Sequence, residues 1–142
     1  MGFLDSILGT EKNDIETPKA SGTPFKVSVN FAPVRLSAMR ESSIRMLIKI
    51  TNLSNEEQMV SADALLPRNG LIGFEPACIS KHNEKKIGKL GVGETTEVAI
   101  PIYSTNQTKE GNYPFRVVVY SHYLDYDKVI GQVEKNGEIR IV

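Results

Sequence analysis

Residues 25 to 142 predict an all-β domain, a sandwich or barrel of short strands. Three observations point there. Apolar and polar residues alternate with period two in one segment after another. Clusters of Gly, Pro, Asn and Asp separate these segments at intervals of about eight to twelve residues, the spacing of turns in such folds. No helical period interrupts the series after Pro24.

Taken in order, FKVSVNF sets Phe25, Val27, Val29 and Phe31 against Lys26, Ser28 and Asn30, which predicts a half-buried strand. After Pro33, Val34, Leu36 and Ala38 alternate with Arg35 and Ser37. A proline cannot donate to a strand ladder, so these two pieces belong at a sheet edge or at a switch between sheets. RMLIKITN places Met46, Ile48 and Ile50 on one face, and the polar stretch Asn52 to Glu57 turns the chain. QMVSADALL, residues 58 to 66, alternates less cleanly before Pro67, Asn69 and Gly70 break it. LIGFEPACI, KKIGKL, TEVAIPIY, NYPFRVVVYSHYL, KVIGQV and EIRIV complete the strands. Gly91-Val-Gly93 makes the turn before TEVAIPIY.

Residues 1 to 24 read differently. Phe3, Leu4, Ile7 and Leu8 fall on one side of a short helix closed by Gly9. TEKNDIETPKASGTP then has the polar composition of a flexible linker. The expected organisation is thus a short amphipathic helix plus linker over 1 to 24 and a β-sandwich over 25 to 142. Two helical turns are marginal alone in water, so the apolar face must dock on the sandwich, on a protein partner, on another copy or on a membrane surface. The membrane reading is weakened because the helix has no basic residue before Lys12. Gly2 and Ser6 match the loose pattern for N-myristoylation, which we read as chance.

Composition excludes several functions. Seventeen basic and seventeen acidic side chains cancel, so the domain carries no electrostatic footprint for nucleic acid. A lone cysteine, Cys78, excludes an internal disulfide framework and a cysteine-rich zinc cluster, and its expected role is that of a small buried hydrophobe. No apolar run approaches the roughly 18 residues of a membrane-spanning helix, and the amino terminus lacks the pattern of a secretory signal. The expected compartment is the cytoplasm. The sequons at Asn52 and Asn106 are expected to be chance matches. No P-loop, GxGxxG, HExxH, GxSxG or EF-hand pattern is present, so no cofactor and no enzymatic activity are expected.

The order of features resembles the immunoglobulin-like sandwich modules of the CARDB-like group, the adhesion- and assembly-related domains of bacteria and archaea. MLIKITNLSNEE is similar to the strand and polar turn of such modules, and VSADALLPRNGLIGFEP to the strand and proline-glycine stretch that follow. IGKLGVGETTEVAIPIY resembles their glycine turn and returning strand, and EGNYPFRVVVYS their penultimate strand. The resemblance implies that Tyr113 forms the corner, its hydroxyl bonding back to the backbone, and that Phe115 points into the core where antibody domains place a cysteine. The chain has no tryptophan, which sets it apart from antibody domains proper.

One stretch gathers chemistry-bearing residues: VVVYSHYLDYDKV, residues 117 to 129. If Phe115 points inward, Val117, Val119, Ser121 and Tyr123 share its face, and Arg116, Val118, Tyr120, His122 and Leu124 share the other. Asp125 to Lys128 then reads as the turn into the last hairpin. His122, Asp125 and Asp127 lack metal-ligand spacing and fall short of a calcium cage. Tyr120, His122 and Tyr126 remain as contact residues at one end of a sandwich, where binding tends to sit. The expected function is a non-enzymatic interaction or assembly module, binding a protein partner or itself through Phe3, Leu4, Ile7 and Leu8, through an exposed strand edge, or through the tyrosine-rich end. The alternatives are a peripheral membrane protein anchored by the helix and an accessory ligand-binding domain.

Overall fold

A computed structural model describes residues 25–123, 125–126 and 129–142. The helix and linker expected over 1 to 24, with Phe3, Leu4, Ile7 and Leu8, lie outside the described residues, as do Leu124, Asp127 and Lys128. The described chain is all-β, and its strands form two sheets. In chain order they are β1 (Phe25–Ala32), β2 (Arg35–Leu36), β3 (Ser42–Asn52), β4 (Gln58–Leu65), β5 (Ile72–Gly73), β6 (His82–Leu90), β7 (Thr95–Ser104), β8 (Gly111–His122) and β9 (Val129–Ile141).

The smaller sheet has the order β1-β3-β7-β5 and the larger β2-β9-β8-β4-β6. Lettered as in an immunoglobulin sandwich, these are A-B-E-D and A′-G-F-C-C′. One departure is that β5, in the D place, precedes β6 in the chain. All ladders are antiparallel except that β2 runs parallel to β9. Ala32-Pro33 sits where the chain leaves the smaller sheet at β1 and joins the larger at β2, the strand switch the prolines predict.

The core lies between the sheets, as strand alternation requires. Met46, Ile48 and Ile50 of β3 and Ile100 and Ile102 of β7 face Val60, Ala62 and Ala64 of β4, Val117 and Val119 of β8, and Ile139 and Ile141 of β9. Burying one such aliphatic side chain contributes roughly 1.5–3 kcal/mol, so this layer is the main source of stability.

Several strands differ from the sequence reading. LIGFEPACI yields only the two-residue β5, because Cys78 adopts a left-handed backbone (φ 57°) that closes a tight loop. In the second piece only Arg35 and Leu36 pair, and Val34 is exposed. KVIGQV and EIRIV form one strand, β9, unbroken at Gly137. The Phe115 ring explains that continuity: a Cβ at Gly137 would stand 2.7 Å from two of its carbons, so glycine here lets the ring lie over the strand. Tyr123 does not continue the inward face of β8; the strand ends at His122 and Tyr123 is 57% exposed.

Candidate functional site

The outer face of the larger sheet, near the β8–β9 connection, carries a cluster built by register. β4 lies between β6 and β8, and pairing places Lys86, Ser61, Tyr120 and Gln132 in one row across four strands. The neighbouring row toward the connection holds Lys89, Met59, His122 and Val129. His122 Nε2 lies 2.7 Å from Ser61 Oγ, a diagonal contact between rows, and both residues are buried. Tyr126, from the connection itself, packs edge-on against the His122 ring at 5.1 Å between centroids, and the Tyr120 ring lies 6.2 Å from His122. The Lys86 ammonium sits 5.3 Å from the Tyr126 ring centroid, within the range of a cation–π contact.

Tyr120, His122 and Tyr126 thus meet in one place. Ser61 and Lys86 join them, and the sequence reading missed both. Their signal was the β4–β6 and β4–β8 register, which strand alternation leaves open.

This cluster positions groups more readily than it performs chemistry. A hydroxyl hydrogen-bonded to an imidazole is the start of a nucleophile–base pair, but such a pair needs access to substrate and a third group that orients the ring. Ser61 is 2% exposed, and His122 Nδ1 has no partner among the described residues. Burial raises the Tyr120 hydroxyl above its usual pKa, reinforced by the carboxylates of Asp63 and Glu134, so Tyr120 remains a neutral donor. Asp63 in turn lies 3.4 Å from His82 Nε2. Among the described residues no group of three or more His, Cys, Asp or Glu side chains is placed to hold a metal ion.

The same end exposes apolar side chains. Tyr123, Val129 and Ile130 flank the β8–β9 connection, and Leu53 and Val92 project from the β3–β4 and β6–β7 turns beside it. Asn52, wholly buried, ties these two turns together. Its Nδ2 donates to the carbonyls of Glu56 and Leu90, its Oδ1 accepts from the amide and hydroxyl of Ser54, and its own amide bonds the Glu94 carbonyl. The sequon at Asn52 is therefore closed to modification in the folded chain.

The opposite end is clamped by side chains bonded to backbone. Lys81 Nζ donates to the carbonyls of Gly70 (2.7 Å) and Ile72, and Glu75 Oε1 accepts from the amides of Ile79 (2.6 Å) and Ser80 (2.8 Å). Burial lowers the Lys81 pKa. Burial likewise pushes the Cys78 thiol up, against the lowering effect of the Lys81 ammonium, and the thiol donates to the Tyr103 carbonyl at 3.2 Å. A buried thiol held mostly protonated is a poor nucleophile. The Tyr113 hydroxyl donates to the Lys109 carbonyl at 2.8 Å, and Phe115 packs edge-on against Phe31 at 5.4 Å. An open cleft of about 670 Å³ lies here, lined by Leu65, Leu66, Arg68 and Ile79 to His82.

With this geometry in hand, comparison with known proteins decides the fold. No protein-family model matches the chain, and no curated protein matches it. Among solved structures, alpha-2-macroglobulin of E. coli aligns over 85% of this chain and 7% of its own, at 16% identity and a TM-score of 0.55. The chain is an all-β sandwich of a kind also found there. The CARDB domain of a Pyrococcus furiosus protein, in complex with di-metal ions, aligns over 88% of this chain and 95% of its own, at 14% identity and a TM-score of 0.45. An alkylpurine DNA glycosylase of Pseudomonas fluorescens, bound to DNA with an abasic-site analogue, aligns over 84% and 31%, at 15% identity and 0.41. The chain therefore spans a small fraction of the macroglobulin and about a third of the glycosylase.

Proposed function

We propose that this protein is a non-enzymatic interaction module that meets a protein partner at the β8–β9 end. The observation that carries this reading is the juxtaposition of the Tyr120–His122–Tyr126–Lys86 cluster with the exposed side chains of Tyr123, Val129 and Ile130. Protein interfaces are enriched in tyrosine, and their binding energy concentrates in a few aromatic anchors ringed by apolar contacts. In this arrangement His122 is the support and Tyr126 and Tyr123 are the contacts. The amino-terminal residues Phe3, Leu4, Ile7 and Leu8 supply a second contact on sequence grounds. No helix among the described residues is long and apolar enough to cross a membrane.

A photo-crosslinking residue placed at Tyr123 or Ile130 of the full chain, in its native cells, is expected to capture one polypeptide repeatedly. The same probe at Ile79, exposed at the opposite end, is expected not to. Tyr126→Ala should lower the capture by about tenfold, the loss typical of an aromatic anchor. Equal capture from Ile79, or none from either tip position, overturns the reading.

Nδ1 of buried His122, without a partner among the described residues, favours a second reading, an accessory site for a small hydrogen-bonding ligand. Titrating simple sugars while following the His122 ring resonances tests it; an unmoved spectrum across the sugars removes it.

A further inference from the structure

The exposed edges of the two sheets are not alike. β2 and β5 are two residues long, too short to template a partner strand, and the stretch of β7 beyond its ladder with β5 carries Glu97 and Pro101, a residue with no amide to donate. β6 carries Lys85, Lys86 and Lys89 and a bulge where Gly88 (φ 92°) shifts the register, two devices that block edge-to-edge pairing. Beyond its short ladder with β2, β9 carries Glu134, Lys135 and Glu138 and a register shift between Val129 and Gly131. β1 has eight residues, pairs only with β3 among the described residues, follows its register with β3 without a shift, and bears one charge, Lys26.

Its sequence, FKVSVNF, is a palindrome in residue character about Ser28. Antiparallel pairing of two copies across a two-fold axis through Ser28 sets Phe25 opposite Phe31 of the second copy, Val27 opposite Val29, and Lys26 opposite Asn30. Every apolar side chain then meets an apolar one, and no like charges face each other, the condition under which cross-strand pairs stabilise a sheet. Burial is graded to match. Phe25 and Val27 are buried within one copy, whereas Val29 and Phe31 are only partly covered. The two-fold brings each partly covered residue against a buried one of the other copy.

We propose that β1 pairs with β1 of a second copy, joining the two smaller sheets into one continuous sheet across a two-fold axis. This surface is distinct from the β8–β9 end, and its success or failure is independent of that reading.

Asn30 is exposed, so substitutions there leave the single sandwich intact and act on the pairing. Analytical ultracentrifugation of the full chain is expected to show a monomer–dimer equilibrium. Asn30→Lys sets two Lys–Lys pairs across the axis and should weaken the dimer about tenfold, whereas Asn30→Glu sets two Glu–Lys pairs and should tighten it. Ser28→Glu and Ser28→Lys each place like charges on the axis and should weaken self-association about fivefold, and an equimolar mixture of the two chains should restore it. A chain that stays monomeric at the highest soluble concentration overturns the proposal. So do Asn30→Lys and Asn30→Glu shifting the equilibrium in the same direction, or a mixture of the Ser28 variants no more associated than either alone.

Discussion

The two ends of the sandwich hold their loops by different means. At the Lys81 end, a lysine, a glutamate and a tyrosine hydroxyl each bond backbone groups of the turns they cross. At the Asn52 end, one buried amide ties two turns together, but Tyr126 is held among the described residues by contacts with the His122 ring and the Lys86 ammonium. Hydrogen bonds to backbone fix a loop's direction and leave little latitude. Ring packing is tolerant of rotation and shift. The first end is thus held by directional bonds, and at the second the packing around Tyr126 leaves that ring more latitude.

The largest expected effect falls on the first end. A Cβ on Gly73 would lie 2.4 Å from Cys78 Cα and 2.7 Å from its carbonyl carbon, and backbone cannot move aside as a side chain can. Gly73→Ala should therefore cost about 3 kcal/mol, at the upper end for overpacking. Denaturant unfolding measures it, and a midpoint equal to that of the parent chain refutes the account.

Next in size is the side-chain tie of the other end. Asn52→Ala removes the Asn52 donor from the buried Leu90 carbonyl and from the Glu56 carbonyl and leaves the Ser54 amide without its acceptor, for a loss of about 2 kcal/mol, in line with the penalty for stranding a buried polar group. Amide exchange in residues 53–57 and 91–94 should quicken together. Faster exchange in one turn alone would show that Asn52 does not couple them.

The smallest effect distinguishes the charge of Lys81 from its bonding. Burial lowers its pKa in the folded chain below the ordinary lysine value of 10.5. The unfolded chain therefore binds more protons in the window between the lowered value and 10.5, so this group makes stability rise with pH there. The Cys78 thiol, raised by burial above 9.0, acts in the opposite sense from pH 9.0 upward and must be subtracted with a Cys78→Ser control. Lys81→Met removes the donors to Gly70 and Ile72, costs about 1 kcal/mol near neutrality, and abolishes the alkaline rise. Persistence of that rise in the Met variant excludes Lys81 as its source.

Much of the fold was legible in local pattern. Period-two alternation marked β1, β3, β7 and β8 because each has one face on the core and one toward water. It overextended the strands around Val34 and Phe74 and split one at Lys135, where pairing depends on a crossing between sheets, a left-handed Cys78 and a glycine beneath an aromatic ring, none of which alternation records. At the candidate site, Tyr120 and His122 fell on one face by counting along β8. Ser61 and Lys86 were hidden, because their proximity depends on the register of strands about sixty and thirty-five residues away in sequence, and register is a property of the assembled sheet. The palindrome of β1 is a local feature of the sequence, and the sheet order places it at an edge, as its neighbouring prolines predict.

The Asn52 tie has a thermodynamic consequence for binding. A loop that must be ordered when a partner arrives subtracts that lost entropy from the affinity. With the turns bearing Leu53 and Val92 already fixed to each other, this part of the tip is preorganised, and a partner that covered those turns would not face that ordering cost.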